Sequence, residues 1–160
     1  MTRRIGIDVG GVIIDSIHND NSDTSFLGDN FLRTTAVPSS FYAVRKLVQR
    51  FGADNVFIVS KCGPVIQEKT LGWLVHQDFK EFTGFLPHNL YFCLTRAEKA
   101  PIVQTLGITD FVDDHREVLE YMDGIVDRRY LFGPQPSAAP IPDGIIAVRN
   151  WDHTLMLILP

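Results

Sequence analysis

Residues 5–15 read IGIDVGGVIID and residues 108–114 read ITDFVDD. Each stretch is a short apolar run that ends in carboxylates, Asp8 in the first and Asp113 and Asp114 in the second. A run of this length is typical of a buried strand, and aspartate is rarely buried at the end of such a strand without a partner. The two stretches therefore predict strands of a sheet and the place where that sheet carries its chemistry.

Strand-like and helix-like segments alternate along the chain. The strand-like segments are residues 4–8, 56–60, 90–94, 108–114 and 125–132; the helix-like segments are residues 41–51, 64–76, 99–106, 115–122 and 151–159. This alternation predicts a parallel sheet with helices on both faces, in a single α/β domain over residues 1–160. The charges at the centre of residues 125–132 predict that this strand lies toward an edge of the sheet.

Polar residues and turn signals mark the connections. Residues 16–35 predict a long polar loop or small flap, and residues 82–87 predict an irregular connection. Ser39 and Ser40 are candidate caps for the helix that follows them, and residues 95–98 have the spacing of a capping box.

The composition bounds the classes of function. With 15 Lys and Arg against 19 Asp and Glu, the net charge is −4, which offers no general attraction to nucleic acid or to an anionic membrane. The apolar stretches are strand-sized, and Asp8 interrupts the first of them before a signal-peptide core can form. Cys62 and Cys93 form no CxxC motif, which favours reduced thiols. We expect a cytoplasmic protein with no nucleic-acid or membrane partner.

Five side chains are predicted to converge at one edge of the sheet. Asp8, Ser60, Asp113 and Asp114 each fall at the end of a predicted strand, and Lys99 begins the helix after the third strand. In an open parallel sheet, ligands bind outside the carboxyl ends of the strands. Carboxylate oxygens suit Mg²⁺, which keeps further coordination positions for water and phosphate oxygens. We therefore predict a Mg²⁺ site that receives a small phosphorylated substrate.

Gly10 and Gly11 let the backbone approach an anion closely, so their N–H groups are candidate phosphate donors. Ser60 and Lys99 are the other candidate phosphate-binding residues, and Lys99 would offset the charge of carboxylate and phosphate. Asp8 is either a metal ligand only or also a nucleophile that forms an aspartyl-phosphate. The residues alone leave both roles open.

The same residues resemble the four motifs of the haloacid dehalogenase (HAD) superfamily, whose members are mostly Mg²⁺-dependent phosphatases. The first motif corresponds to residues 8–11 (DVGG), the second to Ser60 at the end of VFIVS, the third to Lys99, and the fourth to Asp113 and Asp114. The resemblance spans nearly the whole chain. It implies a Rossmann-like topology, and the short polar insert after the first motif implies that there is no large cap domain.

The resemblance also implies a role for each site residue. Asp8 would be the nucleophile and a Mg²⁺ ligand, and the Gly10 carbonyl would be a second ligand. Asp114 would bind the metal directly, whereas Asp113 would act directly or through water. Such a protein would be a hydrolase, with phosphatase activity on a phosphoester.

Gly10 departs from the family pattern, because phosphatases of this family carry a second Asp there as general acid and base. General acid–base assistance is typically worth about 10²–10⁴-fold in rate. Three explanations are open. The leaving group is good enough to need no acid; or Asp15, His18 or His115 supplies the proton; or the protein binds phosphate compounds without turning them over.

Two rival interpretations use the same motifs. A non-catalytic phosphate-binding or interaction protein on a HAD scaffold is favoured by Gly10. A fragment of a sugar kinase with the actin-like ATPase fold is favoured by residues 5–11, which are similar to the phosphate loop of those kinases. Such kinases need two related domains, for which 160 residues are too few, and they leave the acidic pair at 113–114 unexplained. Substrate identity and oligomeric state stay open.

Overall fold

Six parallel strands form one sheet in a computed structural model of the chain, which describes residues 1–15 and 28–160. The strands are β1 (Ile5–Ile7), β2 (Val56–Lys61), β3 (Leu90–Cys93), β4 (Asp110–Asp113), β5 (Arg128–Phe132) and β6 (Ile145–Val148). Their order is β3-β2-β1-β4-β5-β6, so β1 lies at the centre between β2 and β4. Ile7 pairs with Ile58 on one side and with Val112 on the other. The predicted α/β, Rossmann-like fold is confirmed.

Helices cover both faces of this sheet. They are α1 (Ser40–Phe51), α2 (Pro64–His76), α3 (Phe79–Thr83), α4 (Lys99–Leu106), α5 (Arg116–Tyr121) and α6 (Trp151–Ile158). Buried side chains of α1, α2, α3 and α6 form one apolar core with β1, and those of α4 and α5 form a second core on the other face. Each face thus removes its apolar surface from water, which is the main stabilising term of such a layered fold. Residues 1–15 and 28–160 contain no large cap domain.

The helix α1 was predicted, but its predicted serine caps are not formed. Ser39 adopts a left-handed conformation with φ of 66°, and its side chain makes no capping hydrogen bond. Ser40 is buried, and its Oγ donates instead to the Ile13 carbonyl at 3.2 Å. This bond fixes the start of α1 against the segment that follows β1.

The turn before α4 forms one of the two hydrogen bonds of the predicted capping box. The Glu98 N–H donates to Thr95 Oγ1 at 3.3 Å, and the Glu98 carboxylate accepts from the Leu94 N–H at 3.1 Å. Gly107 then ends the helix in a left-handed conformation, with φ of 65°. The helix that begins at Lys99 is therefore fixed at both ends.

The strand β5 was predicted toward an edge, and this prediction is wrong. β5 lies between β4 and β6, and β6 is the edge strand. Arg129 is buried because its guanidinium donates to the Leu119 carbonyl at 3.0 Å and to Asp123 at 2.7 Å. Partners supplied by α5 and the turn after it thus make a charged residue compatible with an inner strand.

Two predicted irregular regions are partly regular. The connection predicted at residues 82–87 includes the end of α3, where Thr83 Oγ1 donates to the Phe79 carbonyl at 2.7 Å. Of the predicted flap at residues 16–35, residues 16–27 lie outside the described residues. The remainder contains a short 3₁₀ helix (Phe31–Arg33) whose Phe31 packs against the core.

Arg3 connects the two ends of the chain. Its guanidinium donates to buried Asp110, with Nη2 at 2.6 Å from Oδ1, and its Nη1 donates to the Ile158 carbonyl at 2.6 Å. The start of β4 and the end of α6 are thereby linked to the residues just before β1. Across the described ranges, no helix is both long enough and apolar enough to cross a membrane.

Candidate functional site

Lys99 joins two buried carboxylates at the carboxyl edge of the sheet. Its Nζ donates to Asp8 Oδ1 and to Asp113 Oδ2, each at 2.8 Å. Asp8 directly follows β1, Asp113 ends β4, and the two strands are neighbours. All three residues are buried, so each charge depends on the others for stabilisation. The topology thus brings together three side chains that are 91 and 14 residues apart in sequence.

Asp114 and His115 lie close to Asp8 and Asp113, and the four side chains form one cluster. His115 Nδ1 lies 2.9 Å from Asp114 Oδ1, and the His115 N–H donates to Asp113 Oδ1 at 2.9 Å. Ligand atoms of Asp8, Asp113, Asp114 and His115 lie within 4.8 Å of one another. We call these four residues the carboxylate cluster. Its spacing and donor set could hold a metal ion.

The segment between Asp8 and α1 begins with a tight turn that Gly10 and Gly11 help to form. The N–H groups of residues 12–14 donate to the Val9 carbonyl, and the Gly11 N–H donates to the Ile14 carbonyl at 2.8 Å. Gly11 has φ of 76°, which favours glycine. The predicted use of the Gly11 N–H as a phosphate donor is therefore not available in this arrangement. The Gly10 N–H and carbonyl have no hydrogen-bond partner among the described residues.

Ser60 lies on β2, beside β1, and is buried. Its Oγ donates a weak hydrogen bond to Cys62 Sγ, at 4.0 Å. No carboxylate within the described part of the chain accepts a hydrogen bond from it. Cys62 and Cys93 are both buried free thiols, and burial raises the pKa of each. Ser60 thus keeps a hydroxyl that is not committed to a strong partner.

The charges of the site shift the pKa of its members in opposite directions. Burial, and then the negative charge of Asp113, raises the pKa of Asp8 to about 7, although Lys99 opposes the change. Burial also acts to raise the pKa of Asp113, but Lys99 and hydrogen bonds from His115 outweigh it and lower that pKa. The bonds to Asp113 and Asp114 raise the pKa of His115 to about 10. The pKa of Lys99 is raised because Asp8 and Asp113 together outweigh its burial.

The three candidate replacements for the missing acid differ in position. His115 belongs to the carboxylate cluster, and its side chain is 47% exposed. Asp15 does not belong to it; the Asp15 N–H donates to the Thr35 carbonyl, and its Oδ2 accepts from Thr35 Oγ1 at 3.4 Å. His18 lies outside the described residues. His115 was predicted only as a proton donor, although its place directly after Asp113 and Asp114 already put it beside potential ligands.

Two concave surfaces differ in their relation to this cluster. One, with a volume of about 470 Å³, is lined by residues 114–116 and 134–137, so it shares Asp114 and His115 with the cluster. The other, with a volume of about 160 Å³, lies beside α2 and α3, and apolar side chains such as Phe79 and Phe85 line most of it. The second cavity has Lys80 and Glu81 in its lining, but only the first of these two shares residues with the carboxylate cluster.

No protein-family model matches the chain, and no curated protein matches it significantly. The function of the chain therefore has to be inferred from the geometry of the site itself.

Proposed function

We propose that this chain is a Mg²⁺-dependent hydrolase of the HAD type that cleaves a phosphoester through Asp8. The observation that carries the proposal is the convergence of Asp8, Asp113 and Asp114 around one potential metal position, with Lys99 bridging Asp8 and Asp113. These residues come from three separate elements and meet at the carboxyl edge of a parallel sheet, where ligands bind in such folds. A purely structural role would not need two buried carboxylates and a buried lysine next to a third, partly exposed carboxylate.

The donor set fits Mg²⁺. Asp8, Asp114 and the Gly10 carbonyl would supply hard oxygen ligands, and the Gly10 carbonyl accepts no hydrogen bond from a described residue. A bound Mg²⁺ would draw negative charge from the phosphate oxygens and favour attack at phosphorus. Asp113, which already accepts from Lys99 and from the His115 N–H, would orient the neighbouring ligands.

The residues of the chain would divide the chemistry between them. An Asp8 oxygen would attack phosphorus, the bond from phosphorus to the substrate oxygen would break, and an aspartyl-phosphate would form. Water would then attack this intermediate, release inorganic phosphate and restore the Asp8 carboxylate. Lys99 and the Ser60 hydroxyl would hold phosphate oxygens, because both are buried beside Asp8 or on the adjacent strand.

The proton needed by the leaving oxygen has no evident source at Gly10. His115 is the cluster member that could supply it, since its ring is partly exposed and its pKa is raised to about 10. Without such a donor, only substrates with good leaving groups would react quickly. A rate that depends steeply on the pKa of the leaving alcohol would therefore show that His115 does not supply the proton.

The decisive experiment is a Mg²⁺-dependent assay with p-nitrophenyl phosphate, acetyl phosphate, nucleotides and sugar phosphates. Asp8→Asn should abolish turnover, whereas the matched variant Asp127→Asn, which changes an exposed aspartate outside the cluster, should leave it unchanged. Activity retained in Asp8→Asn would rule out the covalent mechanism. Comparing Mg²⁺, Mn²⁺ and Zn²⁺ would test the choice of metal, since His115 adds a nitrogen ligand that Zn²⁺ accepts well.

A non-catalytic phosphate-binding protein is the second candidate, and the specific observation that favours it is Gly10 at the acid–base position. Absence of turnover across the panel, together with stabilisation of the fold by Mg²⁺ and inorganic phosphate, would favour this candidate. A kinase-like ATPase has weaker support, because it gives no role to Lys99 and Asp113 beside Asp8.

A further inference from the structure

The cavity of about 470 Å³ next to the carboxylate cluster has walls from two parts of the chain. One wall is residues 114–116, at the end of β4 and the start of α5. The other is residues 134–137, in the loop from β5 to β6. Because Asp114 belongs both to the cluster and to the cavity, a molecule whose phosphate lies at Asp8 would extend its remaining part into the cavity. A volume of this size is within the range of about 300–1,000 Å³ that small ligands occupy.

Hydrogen bonds hold the loop wall in place. Gln135 Nε2 donates to the Asp114 carbonyl at 3.1 Å, and Arg116 Nη2 donates to the Ala139 carbonyl at 2.9 Å. These bonds connect the loop to the two residues that flank His115. The cavity is therefore built by specific contacts between its walls, and it would not need to form anew around a ligand.

Arg116 gives the cavity a positive group. Among the described residues, no carboxylate forms an ion pair with Arg116, and the bond to Ala139 uses only one of the five N–H donors of its guanidinium. The nearest acidic side chain in sequence, Glu117, pairs with Arg96 at 2.9 Å instead. Asp114 is the one carboxylate in the cavity wall, and it faces His115 at 2.9 Å. The guanidinium is thus available to an anionic group.

Two prolines add a flat apolar surface. Pro134 and Pro136 line the same wall as Gln135 and Ser137. Prolines have fixed backbone angles and lose little freedom when a ligand packs against them. The wall therefore offers packing surface and polar donors beside the positive group.

We propose that the cavity binds the non-transferred part of the substrate and that Arg116 recognises a second anionic group there, a carboxylate or a second phosphate. The substrate class is then a small organic phosphate whose remaining part carries its own negative charge. This inference rests on the proposed function of the carboxylate cluster. Arg116 acts as a specificity-determining residue, and it leaves the reacting phosphate to Asp8 and Lys99.

The test compares two compounds that differ in this second charge: 3-phosphoglycerate, which has a carboxylate, and glycerol 3-phosphate, which has none. The kcat/KM of the wild-type protein should favour 3-phosphoglycerate by about tenfold or more, the usual strength of one charge-assisted hydrogen bond. Arg116→Gln should lower kcat/KM for 3-phosphoglycerate much more than for glycerol 3-phosphate, so that the preference between the two compounds is lost. Arg116→Lys should keep part of the preference, because it keeps the charge.

Arg45→Gln is the matched control, because Arg45 is exposed on α1, on the opposite face of the sheet from α5. Equal kcat/KM for the two compounds in wild type, or a preference unchanged in Arg116→Gln, would overturn the inference. A parallel loss for both compounds in Arg116→Gln would also overturn it, since Arg116 would then act only by holding the loop.

Binding measured by calorimetry in the presence of Mg²⁺ separates this inference from the proposed function. If the full substrate panel gives no turnover, the hydrolase proposal fails, and the binding measurement alone then tests the role of Arg116. Tighter binding of 3-phosphoglycerate that is lost in Arg116→Gln would still support the anion site. Equal affinity for the two compounds would overturn it.

Discussion

Gly10 occupies the position where a phosphatase of the proposed type carries its acid and base. A Cβ built at Gly10 has no heavy atom within 4 Å, so a side chain fits there without displacing a neighbour. If the missing acid limits the rate, Gly10→Asp should raise kcat for sugar phosphates by about tenfold or more, part of the usual range for acid–base assistance. Steady-state kinetics of the variant provide the measurement.

Gly10→Ala separates the carboxylate from the added side chain. This variant should match the wild-type rate, since its methyl group meets nothing. The gain in Gly10→Asp should be small for p-nitrophenyl phosphate, whose leaving group needs little protonation. No gain with any substrate would mean that another group, such as His115, already provides the proton.

The affinity of the carboxylate cluster for Mg²⁺ should rise with pH. In the metal-free protein the pKa of Asp8 is raised to about 7 by its burial and by Asp113, so a proton competes with the metal below that pH. We expect the Kd for Mg²⁺ to fall by up to about tenfold per pH unit between pH 5 and 7, and to level off above pH 7. Calorimetry in buffers of different ionisation enthalpy should detect proton release near pH 6.

Asp8→Asn should flatten this pH dependence, because the group that exchanges the proton is removed. A Kd for Mg²⁺ that stays constant from pH 5 to 8 in the wild-type protein would contradict the assignment of the raised pKa to a metal ligand. A steep dependence that persists in Asp8→Asn would move the titrating group to another member of the cluster.

At the scale of elements, β1 is held close to its neighbours by a glycine. A Cβ added to Gly6 would lie 2.5 Å from a ring carbon of Phe111, which is fully buried on β4. The ring cannot move away without disturbing the core, so Gly6→Ala should lower the free energy of unfolding by about 1–3 kcal/mol. Urea denaturation followed by circular dichroism measures this change.

Gly63→Ala is the matched control, because a Cβ at Gly63, just before α2, meets nothing within 4 Å. Phe111→Leu should partly restore the stability of Gly6→Ala by making room for the methyl group. Equal stability of the two alanine variants would mean that β1 and β4 are less tightly packed than their register implies.

The sequence was informative about the elements whose signals are local. The apolar runs that became β1, β2 and β4 carry their own signal, and so does the capping pattern before Lys99. The inner position of β5 depends on partners outside the strand, because Arg129 is satisfied by the Leu119 carbonyl and by Asp123. No pattern within the strand itself indicates such partners.

In the candidate site, too, some features could be predicted from the sequence and others depend on tertiary contacts. Asp8, Lys99 and Asp113 could be predicted to meet because parallel strands end at one edge, and the strand order made them neighbours. The engagement of the Gly11 N–H by Ile14 could not be predicted, since it depends on the path of the turn. The contribution of residues 134–137 also depends on a tertiary contact, between Gln135 and the Asp114 carbonyl.

At the scale of the whole molecule, the charges of the cluster should make stability depend on metal and pH together. The pKa of Asp8 is raised from 3.8 to about 7, so the folded protein holds the Asp8 proton more tightly than the unfolded chain does. This proton adds to the free energy of unfolding below pH 4, and its contribution is lost as the pH rises toward 7. In EDTA the free energy of unfolding should therefore fall in this window by up to about 1.4 kcal/mol per pH unit relative to Asp8→Asn. Asp113, whose pKa is lowered, reduces the free energy of unfolding only as the pH falls below about 4. His115, whose pKa is raised, reduces it only as the pH rises above 6.5.

At pH 7.5 in EDTA we expect the wild-type protein to be less stable than Asp8→Asn, and saturating Mg²⁺ should make it the more stable of the two. At a concentration of 100 Kd the metal adds about 2.7 kcal/mol to the stability of the wild-type fold, while Asp8→Asn binds it more weakly. Thermal denaturation at pH 7.5, with EDTA or with Mg²⁺, compares the four conditions directly. A wild-type Tm that does not respond to Mg²⁺ would indicate that the cluster does not bind Mg²⁺.

The hydrogen bond from Arg3 to the Ile158 carbonyl suggests that the protein tolerates circular permutation. Because the two ends of the fold touch at 2.6 Å, a short Gly/Ser linker could join them, and the chain could be reopened between the exposed residues Ala138 and Ala139. Such a circular permutant would begin with β6 and α6 and still build the same central sheet. We expect cooperative unfolding and intact Mg²⁺ binding, with any preference for a second anion weakened, because the cut separates the loop from its contact with Arg116.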